Sequence, residues 1–209
     1  QHQRDTIARI VEAQTRLGKL LSMEYCVRFK HPILGKFACM TALWNYVKSE
    51  DLNDEIRSMY GRELTNYSRK LRTRPNVPNF YAIILDSTWH KIKQHPEIIE
   101  LLKRPENQLP FDYHYFDSKM NRPTRPPYFR FLVEGFEEIR KAVIEGSEPD
   151  FTKWNNGLTT KEIYSEFIWE KVGEDNVQES ETSLADSTPD ETTDDTVVSQ
   201  EQIVPPSII

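Results

Sequence analysis

Charge placement constrains this chain more than any other feature. From residue 174 to residue 209 there are ten acidic side chains, no lysine or arginine, and no aromatic ring. Such a segment cannot bury enough apolar surface to offset an ordering cost of about 1–2 kcal/mol per residue. It is therefore expected to be a disordered acidic tail over 173–209, leaving 1–172 as one globular domain. The whole chain has 33 acids and 27 bases, a formal charge of −6. With the tail's ten acids removed, 23 acids face 27 bases and the body is mildly basic, at +4. The tail can meet a basic protein partner or fold back on the body's own basic patch. Its apolar ending, Ile203 to Ile209, reads as an idle terminus sooner than as a docking peptide.

Several classes are excluded. No apolar run approaches the ~18–20 residues of a membrane span, so no membrane partner is expected. Two cysteines, Cys26 and Cys39, cannot build a disulfide framework or a four-thiolate zinc site. Residues 1–9 lack the apolar core of a secretory leader, and a soluble, cytoplasmic protein is expected. The chain opens on Gln1 rather than Met, as a fragment or a processed product would.

The body reads as mainly α (α+β). Ile7, Ile10, Val11, Gln14, Leu17 and Leu21 form a helical stripe, with Asp5-Thr6 as its cap. Tyr25 to Phe29 alternates like a strand and ends at His31-Pro32, before a turn at Gly35. Met40, Leu43, Trp44 and Val47 fall at i, i+3, i+4 and i+7 of a helix. A further stripe, Leu52, Ile56, Met59 and Tyr60, runs on to about Leu71, and Pro75 and Pro78 break the chain. Helix resumes through Ile83, Ile84, Trp89 and Ile92. Another helix follows His95, with Pro96 in its first turn. The stretch from Pro105 to Pro127 reads as a long irregular loop, of a length that is more often functional than idle. Phe129, Leu132, Val133, Phe136, Ile139 and Val143 mark the strongest helix. Asp150 to Gly157 reads as a turn, and Thr159 to Val172 as a last helix.

Few residues carry a chemical signal. Seven glycines without clustering give no phosphate loop. His90 and His95, five apart, do not share a helix face. Asp112, His114 and Asp117 have the donor types to ligate a cation, but a solvated loop histidine is the plainer reading and no metal is expected. Arg57, Arg62, Arg69, Lys70, Arg72 and Arg74 can hold phosphate through guanidinium contacts, or simply form a solvated helix face. Tyr113, His114 and Tyr115, close to Lys119, Arg122 and Arg125, suit a base and its phosphates, or a loop packed over the core.

Taken in order, these segments resemble, at a distance, the NADAR (YbiA-like) domain family from about Leu20 to Val143. Leu21-Ser22-Met23 precedes the strand, Gly35-Lys36-Phe37 follows it, and the next helix carries Trp44, Asn45 and Lys48. Asp54-Glu55-Ile56-Arg57, Ser68-Arg69, the run Lys91 to Glu97 before Leu101-Leu102, and Tyr128 to Arg140 match later family segments. The resemblance implies a phosphorylated ribosyl or ADP-ribose-type ligand and N-glycosidic hydrolysis. Lys48 and Arg69 would hold phosphate or ribose oxygens, Asn45 would lie among them, and Trp44, or Tyr113 with His114, would meet the base.

The departures bear on catalysis. Where the family carries its glutamate this chain has Thr41 or Ala42, and threonine is no general base near neutral pH. A carboxylate stabilising an oxocarbenium-like centre would have to come from Glu24 or Asp112. No cofactor is implied. The rival expectation is a catalytically inactive, phage-encoded interaction or structural protein that keeps the pocket fold and uses the tail as an acidic arm.

Overall fold

The computed structural model describes residues 8–9, 15–113, 115–117, 121–125 and 129–168. The chain divides into two units, Gln1–Glu170 and Lys171–Ile209. The acidic tail lies outside the described residues, as do Asp5-Thr6, Ile7 and Ile10 to Gln14 of the first stripe.

The architecture is mainly helical with short strands: β1 (Ala8–Arg9), α1 (Arg16–Leu21), β2 (Phe29–His31), β3 (Gly35–Phe37), α2 (Met40–Lys48), α3 (Gly61–Ser68), α4 (Phe80–Lys93) and α5 (Pro96–Lys103). They are followed by β4 (Phe111–Asp112), β5 (Tyr115–Asp117), β6 (Arg122–Thr124), α6 (Phe129–Glu145), α7 (Thr152–Asn155) and α8 (Thr160–Ile163). The strands form three two-stranded pairs: β1 with β4 parallel, and β2 with β3 and β5 with β6 antiparallel. No described helix is long and apolar enough to cross a membrane.

α4 is the hub. It packs against α2, α5, α6 and β2. Ala82 to Leu85, Ser87 to Trp89, Lys91 and Ile92 are all buried, so it is enclosed on nearly every side. α6 lays Leu132, Phe136, Ile139 and Val143 on the same core, the i, i+4, i+7, i+11 spacing of one helical face. Its Gly135 allows the close approach to α4, because a Cβ there would overlap the Leu85 side chain. Gly135→Ala is expected to destabilise by about 1–3 kcal/mol through overpacking. Adding Leu85→Ala should recover much of that loss relative to Leu85→Ala alone, read as a double-mutant cycle in urea.

Four expectations about elements need correction. The first helix begins at Arg16, where Thr15 caps it by accepting the Gly18 N–H at 3.0 Å; Ala8–Arg9 upstream is strand, paired with Phe111–Asp112. The strand expected from Tyr25 starts at Phe29, because its partner supplies only Gly35–Phe37 before α2 begins. The stripe from Leu52 is not one helix. Leu52 turns left-handed at φ +48°, Asn53 caps a 3-10 turn over Asp54–Ser58, and Gly61, the first residue of α3, is left-handed again at φ +58°. The stretch from Pro105 holds a 3-10 turn over Pro105–Asn107, β4 and the β5–β6 hairpin.

The C-terminal part of the body also differs. α7 replaces a plain turn, and α8 closes after Ile163 because Tyr164 and Phe167 turn into the core. Thr159 and Glu162 form a reciprocal capping box at its start. Arg140 clamps the preceding loop, donating to the Asn107 and Leu109 carbonyls at 3.1 and 2.6 Å, with its guanidinium 4.5 Å from the Phe111 ring centroid.

Candidate functional site

Trp44 and Lys48 stand one turn apart on α2 and so share a face. They open into a groove of about 420 Å³ closed by Asn79, Phe80 and Tyr81 at the start of α4 and by Trp154 of α7. That volume lies in the range of small-molecule sites. The Trp44 ring meets Phe80 edge-on at 4.6 Å and stacks with Phe131 at 6.4 Å. Tyr81 stacks on Phe131 at 4.1 Å and leaves 44% of its surface in solvent. The Lys48 ammonium lies 5.5 Å from the Phe80 ring centroid. Asn79 at φ +56° and Asn156 at φ +52°, which flank α4 and α7 as left-handed caps, both line the groove.

The arrangement offers ring faces for stacking, one cation and several side-chain amides. No carboxylate lines it among the described residues. Of the residues singled out in sequence, the groove brings together Trp44 and Lys48. Asn45 instead donates from Nδ2 to the Thr41 carbonyl of its own helix at 3.0 Å. Arg69 is exposed at the end of α3 and does not line the groove. Glu24 is exposed beyond α1, its N–H on Ser22 Oγ at 3.3 Å. Asp112 accepts from Nε and Nη2 of Arg125, at 3.0 and 3.1 Å, and from the Tyr113 N–H at 2.9 Å. Tyr113 is buried in the core, and His114 lies outside the described residues.

Two members of the basic run are occupied inside the fold. Arg57 lies 3.9 Å over Tyr46 and 4.8 Å over Phe37, donates to the Leu34 carbonyl and pairs with Asp54 at 2.5 Å. Arg74 donates to the Val47 carbonyl and to Glu166, each at 2.8 Å. Arg62, Arg69, Lys70 and Arg72 remain exposed.

The structure also assembles a cluster that sequence reasoning missed. His31, Asp86 and His90 present ligand atoms within 4.8 Å of one another, a set that could hold a metal ion. The hydrogen bonds decide otherwise. His31 Nδ1 accepts the N–H groups of Ile33 and Leu34 at 3.2 and 3.0 Å, which puts the ring proton on Nε2. That proton is directed to Asp86 Oδ2 at 3.1 Å, so Nε2 has no lone pair for a cation. Tyr164 Oη, 2.9 Å from the same nitrogen, donates to Asp86 Oδ2 at 2.5 Å. Burial pushes the Asp86 carboxyl up, but the His31 and Tyr164 hydrogen bonds and the nearby imidazoles outweigh it and hold it below its ordinary range. Burial also lowers His90 and raises Tyr164. This is a hydrogen-bonded knot tying the 158–168 segment to α4.

Lys91 is the second surprise. It is fully buried on α4, with Nζ donating only weakly to the Ser22 carbonyl at 3.4 Å. Burial pulls its pKa down from 10.5 to about 7. It lines none of the cavities described.

Comparison of the chain with family models, curated proteins and solved structures finds no match. The described residues form a mainly helical fold that carries an aromatic, lysine-bearing groove.

Proposed function

We propose that this protein binds a phosphorylated ribosyl ligand of the ADP-ribose type in the Trp44–Lys48 groove, as its resemblance to the NADAR family implies. The observation that carries this reading is the shared opening of Trp44, Tyr81 and Lys48. A base stacks on the exposed aromatic wall, and the Lys48 ammonium takes a phosphate oxygen through a charge-assisted hydrogen bond. The amides of Asn76, Asn79 and Asn156, which line the same groove, suit ribose hydroxyls.

Binding is favoured over hydrolysis. Glycosidic cleavage needs a carboxylate beside the anomeric carbon, and the described lining supplies none. Asp112 is engaged with Arg125, and Glu24 sits elsewhere on the surface. The free thiols Cys26 and Cys39 suit a reducing compartment such as the cytoplasm.

Isothermal titration with ADP-ribose tests this reading. Lys48→Ala should weaken binding by about tenfold, the worth of one charge-assisted contact. Trp44→Ala should weaken it by at least as much, and Arg69→Ala should leave it unchanged. Equal affinity in all four proteins, or cleavage of the ligand's N-glycosidic bond by the wild type, would overturn it.

A further inference from the structure

A larger cavity, about 900 Å³, lies along the β2–β3 hairpin, and the Trp44 groove has no part in its lining. Strand alternation sets its chemistry. Phe29, His31 and Phe37 turn inward, and Lys30 and Lys36 turn to solvent. The register puts Lys30 directly opposite Lys36. The Gln94 side chain accepts the Lys30 N–H at 2.8 Å and donates to the Lys30 carbonyl at 2.7 Å. Both Lys30 backbone groups therefore point away from β3. The Lys30–Lys36 pair is of the non-hydrogen-bonded kind, in which facing side chains approach most closely.

Two ammonium groups so placed repel and cost stability. Arg28, two residues before Lys30, lines the same cavity and is exposed. The one carboxylate in the described lining, Asp54, is taken by Arg57. Among the described residues no carboxylate pairs with Arg28, Lys30 or Lys36. Anionic groups paired one to each lysine would offset that repulsion.

We infer that this face is a second binding site, for the phosphates of a phosphodiester chain, namely single-stranded nucleic acid. The open cavity runs along the hairpin, with three cations available to successive phosphates. Phe29 and Phe37 beneath it keep only 4% and 2% of their surface exposed. They give bases no ring to stack on, so recognition is of the backbone, indifferent to sequence and sensitive to salt.

The test is fluorescence anisotropy of a short fluorescein-labelled oligothymidylate with the full chain at several salt concentrations. Three phosphate contacts predict that log affinity falls against log salt with a slope of about −2. Lys30→Glu with Lys36→Glu should weaken binding at least tenfold at low salt and flatten the slope. Lys36→Glu alone should weaken binding yet raise the melting temperature, because it replaces a repulsive cross-strand pair with an attractive one; a purely structural role for Lys36 would move both together. Trp44→Ala should leave oligonucleotide binding intact, which separates this site from the groove. Undiminished binding by the double variant, a salt slope near zero, or displacement of the oligonucleotide by equimolar inorganic tripolyphosphate would overturn the inference.

Discussion

Replacing Lys91 by methionine should stabilise this protein at neutral pH by about 2–4 kcal/mol. Methionine keeps the volume and unbranched shape of the side chain and removes the charge that burial disfavours. A fall in pKa from 10.5 to about 7 corresponds to about 4–5 kcal/mol of disfavoured ionisation. The Ser22 carbonyl, left without its donor, takes back part of that gain. The pH profile identifies the cause. In the unfolded chain Lys91 keeps its proton up to about pH 10.5, but in the folded protein only to about 7. Between those values the unfolded state binds more protons, so wild-type stability falls as pH drops from about 10.5 to about 7. Urea titrations at pH 7 and pH 10 should show a large advantage for Lys91→Met at the lower pH and little at the higher. Parallel profiles for the two proteins would contradict this account.

Asp86→Ala should act in the opposite direction, costing about 2–4 kcal/mol, because it strands the donors of His31 and Tyr164 in the interior. It should also loosen the 158–168 segment first, since Tyr164 Oη anchors that segment through the same carboxylate oxygen. Hydrogen exchange would show lost protection at Tyr164 and Phe167 before loss in α4. The wild type should lose stability in acid through this knot in two windows. His90 is held below its ordinary value near 6.5, so its contribution is complete above that pH and is lost as pH falls through the folded value. The depressed Asp86 carboxyl contributes above about pH 3.8, and its share is lost below that, through its folded value. Asp86→Ala should remove the lower window. A change in stability below about 0.5 kcal/mol, the size of an ordinary surface substitution, would mean that the knot does not hold the segment.

The helices were legible wherever burial follows a 3.6-residue period. Met40 to Val47, Ile98 to Leu102 and Leu132 to Val143 each bury one face, and their stripes appear in the residue types. α4 was legible as a helix but not as the hub, because a helix buried nearly all round has no polar face to orient it. Lys91 shows the cost of that gap: a lysine on a helix is ordinarily taken as solvated. The strands were harder. Ala8–Arg9 is a strand only because Phe111–Asp112 lies beside it, and nothing within either short run announces the other.

The candidate site was legible in part. Trp44 and Lys48 share a face through the period of one helix, and sequence supplies that period. Arg69 and Tyr113 belong to other elements, whose direction depends on packing. The His31–Asp86–Tyr164 knot joins residues up to 133 positions apart, beyond the reach of any local pattern. Arg57 and Arg74 read as a free basic patch because a sequence does not show the backbone carbonyls that occupy them.

The most direct measurement is a crystal structure of the protein with ADP-ribose. The base should lie against Trp44 and Tyr81, with a phosphate oxygen within hydrogen-bond reach of Lys48 Nζ. Ligand density away from α2 and the start of α4, or none at saturating ligand, would contradict the assignment of this groove.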